Sequence, residues 1–348
     1  GISSVDQTFN NVLPNLMWRR KLSPRSTVNV FYRASTNFPS VTQLQDVVNN
    51  SNPLHITIGN PDLKQSYTNF LSGRYTFINT LKGQSFFANV FLQAANNYIS
   101  NGLYINSSNV DSTIRPGVVL KPGSQLTKPI NLDGYKSLRS FLTYSMPVKF
   151  IKSNLNLNAG FSYSRLPGFS NAVANVTNNY TYSTGIVMAS NISEYVDFNL
   201  SYSVNFNDAK NNLQPTQNTH YVNQAAGIQM NLLTKVGWFL QNDVTNQSNS
   251  GLSAGYNQSF WLWNASVGKK FLKKKQGELK LSVFDLLKQN QSIVRSVTET
   301  YIEDSRSQVL QQYFMLTFTY SLKNFGTPAR RSFGNGQQRG PGGGGMNF

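Results

Sequence analysis

From Val196 on, the stretch YVDFNLSYSVNFN (195–207) separates into two sets without a single exception. Val196, Phe198, Leu200, Tyr202, Val204 and Phe206 are apolar or aromatic, while Asp197, Asn199, Ser201, Ser203, Asn205 and Asn207 are polar. A β-strand points successive side chains to opposite faces, so this segment wants hydrocarbon on one face and water on the other. The same period recurs in NLNLNAGFSYSR (154–165), VNQAAGIQMNLL (222–233), YFMLTFTYSL (313–322) and STVNVFYRAS (26–35). Near 65–100 the pattern blurs, because aromatics such as Phe87 and Phe91 occupy the second face as well.

The pattern predicts strands over 9–20, 26–36, 66–80, 84–100, 125–147, 154–166, 172–190, 195–207, 219–233, 236–247, 252–270, 278–285 and 309–323. Their connections alternate in kind. Short turns such as LSPRS (22–26), LKGQ (81–84), NISE (191–194) and KKKQG (273–277) fall at every second junction. Longer connections fill the others: 37–65, 101–124, 166–171, 208–219, 246–251 and 286–308. This describes a meander of antiparallel hairpins with one tight side and one elaborated side.

A soluble β-sandwich has strands of about 5–6 residues and a dry inner face. Here the segments are longer, and the polar set is uncharged Asn, Ser, Thr, Gln and Gly, which suits a wetted lumen. The fold class expected is therefore all-β, a transmembrane antiparallel up-and-down barrel, with lipid outside and water inside. Charged residues make up only 13% of the chain, against roughly 25% in soluble domains. No apolar run reaches the length of a transmembrane helix. The domain division expected is a barrel over 1–325 and a Gly/Arg-rich, disordered periplasmic tail over 326–348.

Composition narrows the chemistry. The net charge of +17 raises a nucleic-acid reading, but the basic residues gather on the tight-turn side, among them Arg19, Arg20, Lys21, Lys149, Lys152, Lys235 and Lys269. A ring of turn residues below a lipid-facing wall is no groove for a phosphate backbone, so nucleic acid is not an expected partner. There are no cysteines, and the two histidines, His55 and His220, have no partner at ligand spacing. No nucleophile, metal or phosphate motif is present, and the reading expects no catalytic residue, metal or cofactor. The candidate functional residues are lumen-facing: Arg33, Arg74, Asn156, Asn158, Asp197, Asn199 and Asn205. Trp18, Trp238, Trp261 and Trp263 are expected at the membrane interface near the tight-turn ends of their strands, where amphipathic rings prefer headgroup depth.

Three stretches resemble TonB-dependent outer-membrane receptors of the Bacteroidota type. GNPDLK (59–64) is similar to the Gly-Asn-Pro-x-Leu-Lys stretch that these receptors carry before a strand, although Gln65-Ser66 follows where they often have Pro-Glu. LSVFDLLKQNQSIVR (281–295) resembles their penultimate strand and its loop, and LQQYFMLTFTYSL (310–322) their closing strand. The resemblance implies a 22-stranded barrel around an N-terminal plug, of which this chain is the C-terminal part. It further implies uptake of a scarce or large nutrient, such as a metal chelate, an oligosaccharide or a peptide. The energy would come from a TonB–ExbB–ExbD complex engaging the N-terminal part, and a surface lipoprotein is a further partner. Loops 37–65, 101–124 and 286–308 would meet the ligand first. Two other readings use the same wall: a porin-like channel without a plug, and a barrel serving as scaffold in an assembly or secretion complex.

Overall fold

The structure, a computed structural model, describes residues 8–116, 118–190, 193, 195–213, 218–272, 275–298 and 301–322. The tail expected over 326–348 lies outside the described residues. The strands are β1 (Asn15–Ser23), β2 (Ser26–Asn37), β3 (Val48–Asn49), β4 (His55–Ile58), β5 (Ser66–Asn79), β6 (Gln84–Asn96), β7 (Tyr98–Ile105), β8 (Ser112–Arg115), β9 (Val118–Leu120), β10 (Gln125–Leu132) and β11 (Tyr135–Val148). They continue with β12 (Ser153–Ser170), β13 (Val173–Ser190), β14 (Val196–Asn211), β15 (Thr219–Leu233), β16 (Trp238–Ser250), β17 (Gln258–Phe271), β18 (Gly277–Phe284), β19 (Ser292–Val297), β20 (Ile302–Ser307) and β21 (Tyr313–Tyr320). One short helix, α1 (Val41–Leu44), starts from a Ser40 capping box.

A 17-stranded sheet holds all but two small hairpins, β8–β9 and β19–β20. Four of its strands (β3, β4, β7 and β10) belong to loops. The other thirteen form an unbroken antiparallel meander from β1 through β2, β5, β6 and β11–β18 to β21. Among the described residues the meander does not close: β1 pairs only with β2, and β21 only with β18. Both edge strands run from the loop side to the tight-turn side, so they could not join each other antiparallel.

The outward face has no protein covering it. Leu200, Tyr202, Ile228 and Leu240 remain about two-fifths exposed in mid-wall, between 38% and 45%. Among the described residues, the cluster of buried apolar side chains lies instead in the loops, where Ile56, Ile58, Val118, Leu120 and Leu126 pack together. Loops 37–65 and 101–124 thus fold onto each other, joined by the parallel pairing of β4 with β10. The stretch GNPDLK makes the joint. Asn60 Nδ2 donates to the Pro129 carbonyl at 3.0 Å, and Lys64 and Asn131 exchange backbone-to-amide bonds at 2.7 and 2.8 Å. A Cβ on Gly59 would lie 2.0 Å from the Gln45 carbonyl oxygen, so only glycine fits there.

Several expected boundaries move for local reasons. The segment 84–100 breaks at Asn97 (φ 50°) and 125–147 breaks at Gly134 (φ 97°), both backbone conformations that an ordinary strand cannot contain. Beyond these points β7 and β10 continue as a separate ribbon, with Tyr98 stacked on Tyr135 at 4.5 Å where it departs. LPGFSN (166–171), expected as a loop, is strand: β12 runs to Ser170 and turns on Asn171 and Ala172 alone, both at positive φ. Pro167 is tolerated because β11 has ended there. Its carbonyl accepts from Ser100 Oγ at 2.7 Å instead. NQSNSG (246–251) is likewise strand to Ser250, turning at Gly251 (φ 80°).

The two faces make opposite demands on a charge. Tyr202→Arg puts a cation on the outward face in mid-strand and should cost roughly 2–4 kcal/mol in denaturant unfolding from vesicles, whereas Ser201→Arg should change little. Gly59→Ala should open the loop joint to protease while the wall keeps its heat-modifiable migration in electrophoresis.

Candidate functional site

All seven predicted lumen residues share one face of the wall. Register fixes this: Asn158 lies opposite Thr143 and Gly185, Asn205 opposite Ser183 and Asn223, and Asn199 opposite Ala189 and Gln229. Arg74 opposes Asn29 and Asn89 on the same face, and Arg33 opposes Phe70. Their polar groups are engaged along the wall. Arg74 Nε donates to Asn89 Oδ1 at 2.8 Å, Ser145 to Asn156 at 2.5 Å, Thr143 to Asn158 at 3.0 Å, and Ser190 to Asp197 at 3.0 Å.

The inward face divides into two halves. From β11 to β16 it forms a trough of about 630 Å³, with Arg139, Phe141, Asn158, Gly185, Ser203 and Thr245 on its surface, so the trough begins where the rings of the other half end. Small side chains there leave room and offer hydroxyl and amide groups. From β2 to β11 the same face carries a ladder of rings. Phe31 meets Phe70 at 6.4 Å, Phe70 meets Phe91 at 6.1 Å, and Phe91 meets Phe141 at 5.7 Å. Arginines stand beside the rings: Arg33 opposite Phe70, and Arg139 opposite Phe91.

Charge follows the same division. Among the described residues, the inward charges of β1 to β12 are all cationic: Arg19, Lys21, Arg33, Arg74 and Arg139. The later strands carry both signs: Asp197, Asp243 and Glu278 face inward together with Lys270 and Lys280. A face of rings, half-buried at Phe31, Phe70 and Phe91 and exposed at Phe141, interleaved with guanidiniums can stack flat apolar groups and pair with anions at once. The sequence reading took in Arg33 and Arg74 but missed Arg139 and the phenylalanine ladder. The signal was the blurred alternation at 65–100, where rings stand on both faces.

The four tryptophans all face outward. Trp238 opens β16 at the tight-turn end, with Lys269 Nζ 5.1 Å from its ring, whereas Trp18 stands in mid-strand opposite Val30, the fourth of the nine residues of β1, and not at the tight-turn end expected for it. Trp261 and Trp263 lie instead in the loop-side half of β17. That strand starts at Gln258 rather than 252, because a turn at Ser253–Tyr256 with Gly255 at φ 84° precedes it.

Above the lumen the loops are tied by ion pairs. Arg295 of β19 donates to Asp304 of β20 at 2.6 and 2.5 Å, and both side chains are almost fully buried. Arg295 also reaches the Gly251 carbonyl and stacks on the Tyr221 ring at 5.1 Å, so one guanidinium links three loops. The Arg295 hydrogen bonds hold the Asp304 carboxyl well below the usual carboxylate range, against the raising effect of burial and with help from Ser253. His220, read as isolated, pairs with Asp208 across the β14–β15 ladder, and His55 with Gln125 across β4–β10.

An antiparallel wall that is apolar and uncovered outside, polar and cationic-aromatic inside, with short turns at one end and folded loops at the other, is the wall of an outer-membrane β-barrel. The profile of the outer membrane protein beta-barrel family matches residues 2–173 and 168–320, and the chain belongs to that family, whose place is the bacterial outer membrane. No curated protein matches it. Among solved structures it is similar to the siderophore receptor PiuA from Acinetobacter baumannii, at 10% identity and a TM-score of 0.48, over 81% of this chain and 47% of that one. It is also similar to a Pseudomonas aeruginosa FadL homologue, at 11% identity and a TM-score of 0.39, over 88% of this chain and 78% of that one. The chain spans about half the length of the siderophore receptor.

Asp304 gives a pH signature. A carboxyl whose folded value is depressed stabilises the fold above its unfolded value of 3.8, and loses that contribution as pH falls toward the folded value. Amide protection of β19–β20 should therefore hold from about pH 7 to about pH 5 and fall below about pH 4. Asp304→Asn should show the reduced protection already near neutrality, as read by hydrogen exchange.

Proposed function

We propose that this chain forms part of the wall of a TonB-energised outer-membrane receptor that imports an anionic solute bearing flat apolar faces. The observation that carries this is the inward ladder Phe31–Phe70–Phe91–Phe141 with Arg33, Arg74 and Arg139 beside it. Rings facing a wet lumen are costly unless something flat covers them, and the surrounding charge is of one sign. Of the nutrient classes that suit such a receptor, an anionic metal chelate fits this surface better than a neutral oligosaccharide or a basic peptide. The chain acts by binding and passage, with no bond chemistry of its own.

The two parallel-running edges support a larger barrel. An odd number of further strands between β21 and β1 would restore antiparallel pairing throughout, and the 22-stranded, plugged architecture of Bacteroidota-type receptors supplies nine. The folded loops 37–65 and 101–124 would present the solute, or a lipoprotein lid, at the outer surface. The resemblance of GNPDLK and of the closing strands to those receptors points the same way.

The test is uptake in the native host. Solutes co-purifying with the protein from outer membranes should include an anion that is absent when Arg33, Arg74 and Arg139 are all changed to Gln. Entry of that solute into cells should stop when TonB is deleted. Uptake that continues without TonB would replace this reading with a passive channel.

A further inference from the structure

The outward face carries one feature that lumen transport does not use. On the loop side of the wall, a single register row runs Ala34, Asn69, Ala94, Lys136, Arg165, Asn178, Lys210 across β2, β5, β6 and β11–β14. Its first three positions are neutral, and its cations are confined to β11, β12 and β14. The row directly below, toward the membrane interior, runs Tyr32, Leu71, Leu92, Leu138, Tyr163, Tyr180. Lys136 and Arg165 are therefore where the outward apolar band ends, at the depth of the outer-leaflet headgroups.

Below Lys136 the wall is grooved. A cavity of about 350 Å³ opens outward between Tyr32 and Tyr163, floored by Leu71, Leu92, Ala94 and Leu138, with Lys136 at its rim. Both tyrosine walls are fixed: Tyr32 donates to Asn69 Oδ1 at 2.6 Å, and Tyr163 donates to Asn178 Oδ1 at 2.9 Å. One row deeper Gly73 leaves open space, so the groove continues toward the membrane interior. Arg165 is held in place by donating one Nη1 hydrogen to the Gly134 carbonyl at 2.5 Å, which leaves its other donors for a ligand. Lys210 is partly neutralised by Asp208 at 3.7 Å, and Asp208 also pairs with His220. The anion seat is thus Lys136 with Arg165.

We propose that this surface binds one phosphorylated lipid of the outer leaflet, its phosphate between Lys136 and Arg165 and an acyl chain in the Tyr32–Tyr163 groove. An apolar groove with Lys136 at its rim and Arg165 at the next register position matches an anionic lipid in both parts. The lipid is the source of the phosphate: free phosphate would use the cations and leave the groove empty.

Native mass spectrometry of the purified full-length protein tests this, with lipid A in its phosphorylated and dephosphorylated forms as probes. The wild type should retain one phosphorylated lipid. Changing Lys136 and Arg165 to Gln should weaken retention by about fivefold for each cation removed. Ala94→Trp, which fills the groove, should weaken both forms of lipid, and Leu92→Phe narrows the same groove should the tryptophan variant fail to fold. Val244→Trp, outward on β16, should change nothing. Heat-modifiable migration verifies folding throughout. Equal retention by wild type and the double Gln variant overturns the proposal. So does equal retention of the dephosphorylated lipid, or full displacement by inorganic phosphate.

Discussion

In hydrocarbon there is no water to take an unpaired backbone N–H or C=O, and each one left bare costs several kcal/mol. Everything in this wall follows from that constraint. Thirteen strands satisfy each other through an uninterrupted ladder, and the long segments are the price of crossing a bilayer. Local irregularity is driven out to the ends. The positive-φ residues Asn97, Gly134, Asn171, Ala172, Gly237 and Gly251 all stand at turns or at the departure of the β7–β10 ribbon. The two edges, β1 and β21, are where the constraint is unmet among the described residues.

A wall with lipid on one side and water on the other has no core of its own. Its outward leucines, tyrosines and isoleucines exchange protein contact for lipid contact, and its inward side chains hydrogen-bond across strands. Ordinary hydrophobic packing is displaced to the loops, where Ile56, Val118, Leu120 and Leu126 bury one another and Leu63, within GNPDLK itself, is buried as well. Rigid loops over a wet lumen make a shaped entrance, and the buried Arg295–Asp304 pair serves the loops on the opposite flank in the same way.

Much of this was legible in the chain. A period of two is a direct readout of which face each side chain takes, so YVDFNLSYSVNFN specified its outward and inward sets before any coordinates. The thirteen wall segments, the alternation of short and long connections, and the face of all seven lumen candidates follow from it. What escaped the sequence is what depends on neighbours across the sheet. Phe31, Phe70, Phe91 and Phe141 come from four strands and form a ladder only in register. Lys136 and Arg165 are distant in sequence and adjacent in space. Pro167 and Gly168 signal a loop by composition, yet they lie in a strand, buried between β13 and β7 where β11 has ended. Gly255 delays the start of β17 to Gln258, so the midpoint of the strand falls beyond Trp261 and Trp263 and leaves them in its loop-side half.

The central claim is that the alternating faces meet lipid and water. The chain has no cysteine, so single cysteines can be placed at each position from Asp197 to Phe206 and read without background. In outer membranes, the sites at Phe198, Leu200, Tyr202, Val204 and Phe206 should respond to a lipid-phase quencher and resist a water-soluble maleimide. Asp197, Asn199, Ser201, Ser203 and Asn205 should do the reverse. A trace in which the apolar positions are shielded from lipid and water alike would mean a protein-packed sandwich, and would contradict the account.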